Sequence, residues 1–159
     1  MHTYNRAPVR AGAYGATKIP DSAKPKPRVL VVEDQALIAL ALAADLTEMG
    51  CDVVGRAVSG EAAVDLARRL VPDTVIMDVN LSGAMDGIEA AWRIKESRAP
   101  RLIFVTAYTD GPDRRRMEAL APVAILGKPY HPSELNLAVN VAARRRLRGP
   151  SFAVAAAAD

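Results

Sequence analysis

Five short apolar runs alternate with longer stretches in which apolar positions recur at helical spacing. The runs fall at 28–33, 52–58, 73–78, 101–106 and 123–126. In the first, Val29 to Val32 are uninterrupted by any polar residue, the mark of a strand buried on both faces. The stretch after it, Gln35 to Met49, has helical length and is rich in strong helix formers. A last helix is expected from about Ser133 to about Leu147, behind Pro132. Strand and helix alternating five times predict an α/β fold, a parallel sheet with helices on both faces. Parallel neighbours need crossover connections, and those are right-handed.

The ends of the chain have a different composition. Residues 1–27 carry Pro8, Pro20, Pro25 and Pro27 without a sustained apolar period, and are expected to form a disordered basic leader. Residues 148–159 are too few for a further domain and are expected to be a short disordered tail, leaving 28–147 as one domain. No apolar run has the length of a membrane span, and MHTYNRAPVR lacks a signal-peptide core. Cys51 is the only cysteine, which excludes an internal disulfide. These features make a cytoplasmic location the expectation, with no membrane partner. Cys51 is expected to be a small buried group and Trp92 a packing residue.

Net charge changes the picture only when it is divided along the chain. The total is +3, but residues 1–27 carry +4, residues 144–159 carry +3 and residues 28–143 carry −4. An acidic body argues against nucleic acid as a partner. The arginines of RRRLR, Arg144 to Arg148, suit a helix C-terminus, where positive charge is favourable.

Chemistry gathers where the apolar runs end. Glu33 and Asp34 close the first, Asp78 the third and Thr106 the fourth, while Lys128 and Pro129 follow the fifth. In open α/β sheets ligands bind at this carboxyl edge. Three carboxylates brought together there would repel and retain protons, whereas a bound divalent cation removes the conflict. Carboxylate oxygens, water and a phosphate oxygen suit Mg²⁺. A carboxylate can attack phosphorus to form an acyl phosphate, and Asp78, alone at its strand end, is the expected acceptor. Taken singly, each residue also has an ordinary reading. Asp34 suits a helix N-cap, Asp78 a turn, Thr106 a strand and Lys128 a solvated surface.

The acidic pair in VVEDQ, the aspartate in IMDVNL, the AMDGIEA that follows, the hydroxyl in FVTAY and the lysine–proline in LGKPYHPSEL resemble, in order, the receiver domains of two-component response regulators. The resemblance covers residues 28 to about 147. It implies a flavodoxin-like, doubly wound five-stranded sheet of order 2-1-3-4-5. It further implies phosphorylation of Asp78 and Mg²⁺ held by Glu33, Asp34, Asp78 and the backbone carbonyl of Asn80. Thr106 and Lys128 would contact the phosphoryl group, and a cis bond would precede Pro129. The implied partners are a sensor histidine kinase or histidine phosphotransfer protein and a downstream protein target, with a homodimer as a further option. With about a dozen residues after the last helix, the chain looks like a stand-alone receiver that signals by protein contact and is not itself an enzyme.

Two departures qualify the resemblance. The position three before Lys128, commonly aromatic in receivers, is Ile125. Tyr108 instead stands two residues after Thr106, similar to an alphaproteobacterial subgroup with a tyrosine close behind the threonine. The switch is therefore expected at Thr106 and Tyr108, with the loop 107–112 as the segment that reorders. In receivers the first helix meets the phosphodonor. QALIALALAA, from Gln35 to Ala44, has one polar residue and must expose apolar surface, so it is the expected docking face, with Ala39 and Ala43 as positions to probe. Two other classes stand beside this reading: an aspartate-dependent phosphatase or hydrolase, and a pseudo-receiver that binds partners without phosphorylation.

Overall fold

The computed structural model describes residues 25–107 and 109–147. Tyr108, most of the leader and the tail with Arg148 lie outside the described residues. Five strands, β1 (Arg28–Val32), β2 (Asp52–Ala57), β3 (Thr74–Asp78), β4 (Arg101–Thr106) and β5 (Ala124–Gly127), alternate with five helices. The helices are α1 (Ala36–Glu48), α2 (Gly60–Leu70), α3 (Gly87–Ser97), α4 (Pro112–Glu118) and α5 (Pro132–Leu147). All neighbouring strands are parallel, in the order β2-β1-β3-β4-β5. This is the flavodoxin-like arrangement that the resemblance implies.

Alternation along β1 divides the core into two layers. Leu30 and Val32 join residues of α2, α3 and α4, among them Val64, Ile88, Ile94 and Met117. Val29 and Val31 join Leu42 and Leu46 of α1 and Leu135, Val139 and Ala142 of α5. β1 and β3 are central and covered on both faces, which is why their runs contain no alternating polar residue. Cys51 is buried in the second layer.

Local chemistry sets the helix starts. Ser59 caps α2 by accepting from the Ala62 N–H, and Asp86 caps α3 by accepting from the Glu89 N–H at 2.7 Å. Pro112 opens α4 behind Gly111, whose φ of +85° suits glycine. At α5 the Glu134 carboxylate reaches back to the His131 N–H. Asp34 is not the cap of α1. That position is Gln35, without a side-chain bond, and the Gln35 N–H donates instead to the Glu33 carboxylate at 3.2 Å.

Trp92 is 44% exposed and is not a core residue. The buried stripe of α3 is Gly87, Ile88, Ala90, Ala91 and Ile94, and Trp92 falls beside the exposed Arg93 outside it. α1 does expose apolar surface, with Leu37 83% and Leu40 51% exposed. Ala39, however, is buried and Ala43 is half-buried, so neither is a clean surface probe.

Candidate functional site

The sheet brings the five predicted positions to one edge. Val32 pairs with Met77, so Glu33 and Asp78 leave the sheet at the same level on adjacent strands. Asp78 pairs with Val105, one residue before Thr106, and Thr106 pairs with Gly127, one residue before Lys128. The Lys128 N–H donates to the Thr106 carbonyl at 2.7 Å, and the Lys128–Pro129 bond is cis. Glu33, Asp78 and Thr106 are 2%, 4% and 0% exposed.

Buried carboxylates need partners. Lys128 supplies them, its Nζ donating to Glu33 Oε2 at 2.6 Å and to Asp78 Oδ2 at 2.8 Å. Burial pulls the ammonium pKa down, but the bonds to Asp78 and Glu33 more than offset it and hold the pKa above its ordinary value. The other Asp78 oxygen accepts from the Asn80 N–H at 3.1 Å. Asp34 is held differently. Its Oδ2 accepts from the Ser82 N–H at 3.1 Å and from the Ser82 hydroxyl. The Ser82 hydroxyl foremost, opposed by partial desolvation, keeps the Asp34 carboxyl below its ordinary value. A small open pocket at this edge is lined by Gln35, Asp78, Asn80, Ala107 and Lys128.

One carboxylate oxygen each from Glu33, Asp34 and Asp78 lies within 4.8 Å of the others. Hard oxygen donors at such separations suit Mg²⁺, which retains several waters and needs few protein ligands. Two of the three carboxylates already hold a cationic group, the Lys128 ammonium. The donor set therefore fits a divalent cation.

Three residues around the site are not among those the sequence reading singles out. Gly87 is buried, and a Cβ built there would lie 1.9 Å from the Asp78 carbonyl oxygen. Its N–H donates to the Val79 carbonyl at 3.0 Å, closing the loop behind Asp78. Asp86, next to it, caps α3 and accepts from Arg116 of α4 at 3.0 Å. The pattern AMDGIEA contains both, and a glycine directly after a capping aspartate is a legible sign of close approach. Ser82 carries no such signal.

A carboxylate cluster at the carboxyl edge of a 2-1-3-4-5 parallel sheet, with a threonine and a lysine on neighbouring strands, defines a receiver-type α/β domain. The model of the response regulator receiver domain family matches residues 29–140, and the chain belongs to that family. The chain is 40% identical over 131 residues to the transcriptional regulatory protein PdtaR of Mycobacterium tuberculosis, a match spanning 82% of this chain and 63% of PdtaR. It is 32% identical to the chemotaxis protein CheY of Thermotoga maritima, across 71% of this chain and 94% of CheY. Among solved structures it is similar to the signal receiver domain of a modulated diguanylate cyclase from Desulfovibrio desulfuricans G20. That likeness has 34% identity and a TM-score of 0.72, and covers 78% of this chain and 99% of that one.

Proposed function

We propose that this receiver domain accepts a phosphoryl group on Asp78 from the phosphohistidine of a sensor kinase or phosphotransfer protein. The observation that carries the reading is the bridging of Glu33 and Asp78 by Lys128 beside a third carboxylate, Asp34. In the transfer, an Asp78 carboxylate oxygen attacks phosphorus as the P–N bond to the donor histidine breaks. The bonding pair returns to the imidazole. Asp78 is the acceptor in this reading: it closes β3 and is among the residues lining the open pocket beside Lys128, which Glu33 is not. Lys128 follows the charge as it moves from carboxylate to phosphoryl oxygen, a stabilisation that needs no reorganisation of solvent. Thr106, at the end of β4, donates its hydroxyl to a phosphoryl oxygen. Glu33, Asp34, Asp78 and the Asn80 carbonyl would hold Mg²⁺, which supplies neutralisation of the phosphoryl oxygens.

The phosphorylated domain signals by protein–protein contact, and the chain acts in the cytoplasm. Thr106 and the loop 107–112, with Tyr108, carry the change outward, since the added anion alters which arrangement of that segment is favoured. Incubation with a small acyl-phosphate donor, followed by intact mass measurement with and without Mg²⁺, tests the chemistry. A single phosphoryl adduct is expected for the wild type with Mg²⁺ and none for Asp78→Asn. An adduct that persists in Asp78→Asn would refute the assignment. Steady turnover of a phosphate ester would favour a hydrolase, and partner binding indifferent to Asp78→Asn a pseudo-receiver.

A further inference from the structure

The three carboxylates are not held alike. Glu33 and Asp78 are buried and share Lys128. Asp34 is half-buried, and among the described residues Lys128 makes no hydrogen bond to it. It stands on the turn between β1 and α1, and without a partner its carboxylate would turn freely about two side-chain bonds. The partner it has comes from 48 residues away, where the Ser82 N–H and hydroxyl converge on the same Asp34 oxygen. Ser82 lies in the loop after β3. That loop is itself pinned, by Leu81 N–H and Gly87 N–H both donating to the Val79 carbonyl and by Asn80 N–H donating to Asp78.

Groups behind a metal ligand that fix its orientation influence affinity nearly as strongly as the ligands do. We infer that Ser82 is a positioning residue of the divalent-cation site: it fixes the Asp34 carboxylate beside Glu33 and Asp78 and thereby raises cation affinity. The inference rests on the reading of these carboxylates as the cation's ligands. Ser82 touches neither the cation nor the phosphoryl group in this scheme. Its effect passes entirely through Asp34, whose remaining oxygen it leaves available, and through the tie it makes between the β1–α1 turn and the loop carrying Asn80.

The test is calorimetric titration with Mg²⁺ alone, without phosphodonor, on wild type, Ser82→Ala and Ser82→Thr. Ser82→Ala keeps the N–H and loses the hydroxyl, and its dissociation constant is expected to rise about tenfold. Ser82→Thr keeps both donors and is expected to bind like the wild type. Because Ser82 is exposed, the metal-free melting temperatures of all three are expected to coincide, which separates positioning from a merely structural role. Equal affinity in Ser82→Ala would overturn the inference. So would tighter binding, which would mean that the serine competes with the cation for Asp34. A wild type that takes up no Mg²⁺ would instead bring down the reading of the site itself, and the inference with it.

Discussion

Gly87 lies against the backbone of Asp78 so closely that any side chain at 87 must displace the residue that bears the proposed acceptor carboxylate. The contact is with a carbonyl oxygen, not with a rotatable side chain, and no rotamer relieves it. Gly87→Ala is therefore expected to cost about 1–3 kcal/mol, the range typical of overpacking. It should also lower the extent of phosphorylation at fixed donor concentration. Denaturant midpoints and intact mass would measure the two effects. Wild-type behaviour in both would show that the loop after β3 yields without disturbing Asp78.

Lys128→Met leaves Glu33 and Asp78 buried side by side without their shared cation. Removing one partner of a buried pair is costlier than the net value of the pair, on the order of 3 kcal/mol. Mg²⁺ should recover part of this, so the rise in melting temperature on adding Mg²⁺ is expected to be larger for Lys128→Met than for the wild type. A smaller rise would mean that lysine and cation do not draw on the same carboxylates.

Burial pushes the Cys51 thiol above its ordinary value. A group with a raised folded-state pKa contributes stability that is complete below the unfolded-state pKa, about 8.5 for a thiol, and is lost as pH rises through the folded one. Stability should therefore fall as pH rises from about 8.5 toward the tyrosine range at about 10, because the unfolded chain ionises first. Lys128 and Tyr130 are shifted upward too, but from 10.5 and 10.0, above this window. In Cys51→Ala the decline should flatten. Parallel slopes for the two proteins in urea titrations at both ends of the window would exclude the thiol as its source.

Asp86 does two jobs and Arg116 one. Asp86→Ala removes the α3 cap, worth about 1 kcal/mol, together with the ion pair to α4. Arg116→Ala removes exposed ion pairs to Asp86 and Asp113, each within the range of roughly 0–1 kcal/mol for surface pairs. The aspartate variant should be the less stable of the two. The reverse order in thermal melts would mean that Arg116 fastens α4 more firmly than solvent-exposed charges ordinarily do.

Leu37 and Leu40 project from α1 into solvent. If this face meets the phosphodonor, Leu37→Glu with Leu40→Glu should slow transfer from the cognate kinase severalfold. Labelling by a small acyl phosphate should be untouched, and stability should stay within about 0.5 kcal/mol, as is usual for surface changes. Unchanged kinase transfer would move the docking face elsewhere.

Strand positions and the candidate site are legible in the sequence for one shared reason: each polar site residue stands at or just beyond the end of an apolar run, and in a parallel α/β sheet those ends share an edge. Glu33, Asp34, Asp78, Thr106 and Lys128 all carry that signal. Ser82 does not, because an exposed serine gains its meaning only from where the loop after β3 comes to rest. Ala39 reads as a surface position although it is buried, since α1 is almost uniformly apolar and a helix without a polar stripe does not announce which side faces the sheet. Trp92 reads as a packing residue by its type, yet bulk and apolarity do not outweigh a place outside the buried stripe.

Glu33 and Lys128 are separated by 95 residues, and this has a consequence for how the protein is made. As the chain emerges during synthesis, β1, β3 and their three carboxylates precede the ammonium that two of them share. Until β5 has docked along β4, Glu33 and Asp78 have no lysine between them and favour solvent over burial. The surroundings of Asp78 are thus completed by the last of the described strands to be synthesised, and the Lys128 bridge reports that all five have assembled. On the proposed reading of Asp78 as phosphoacceptor, a copy truncated before β5 would lack the ammonium that the transfer uses.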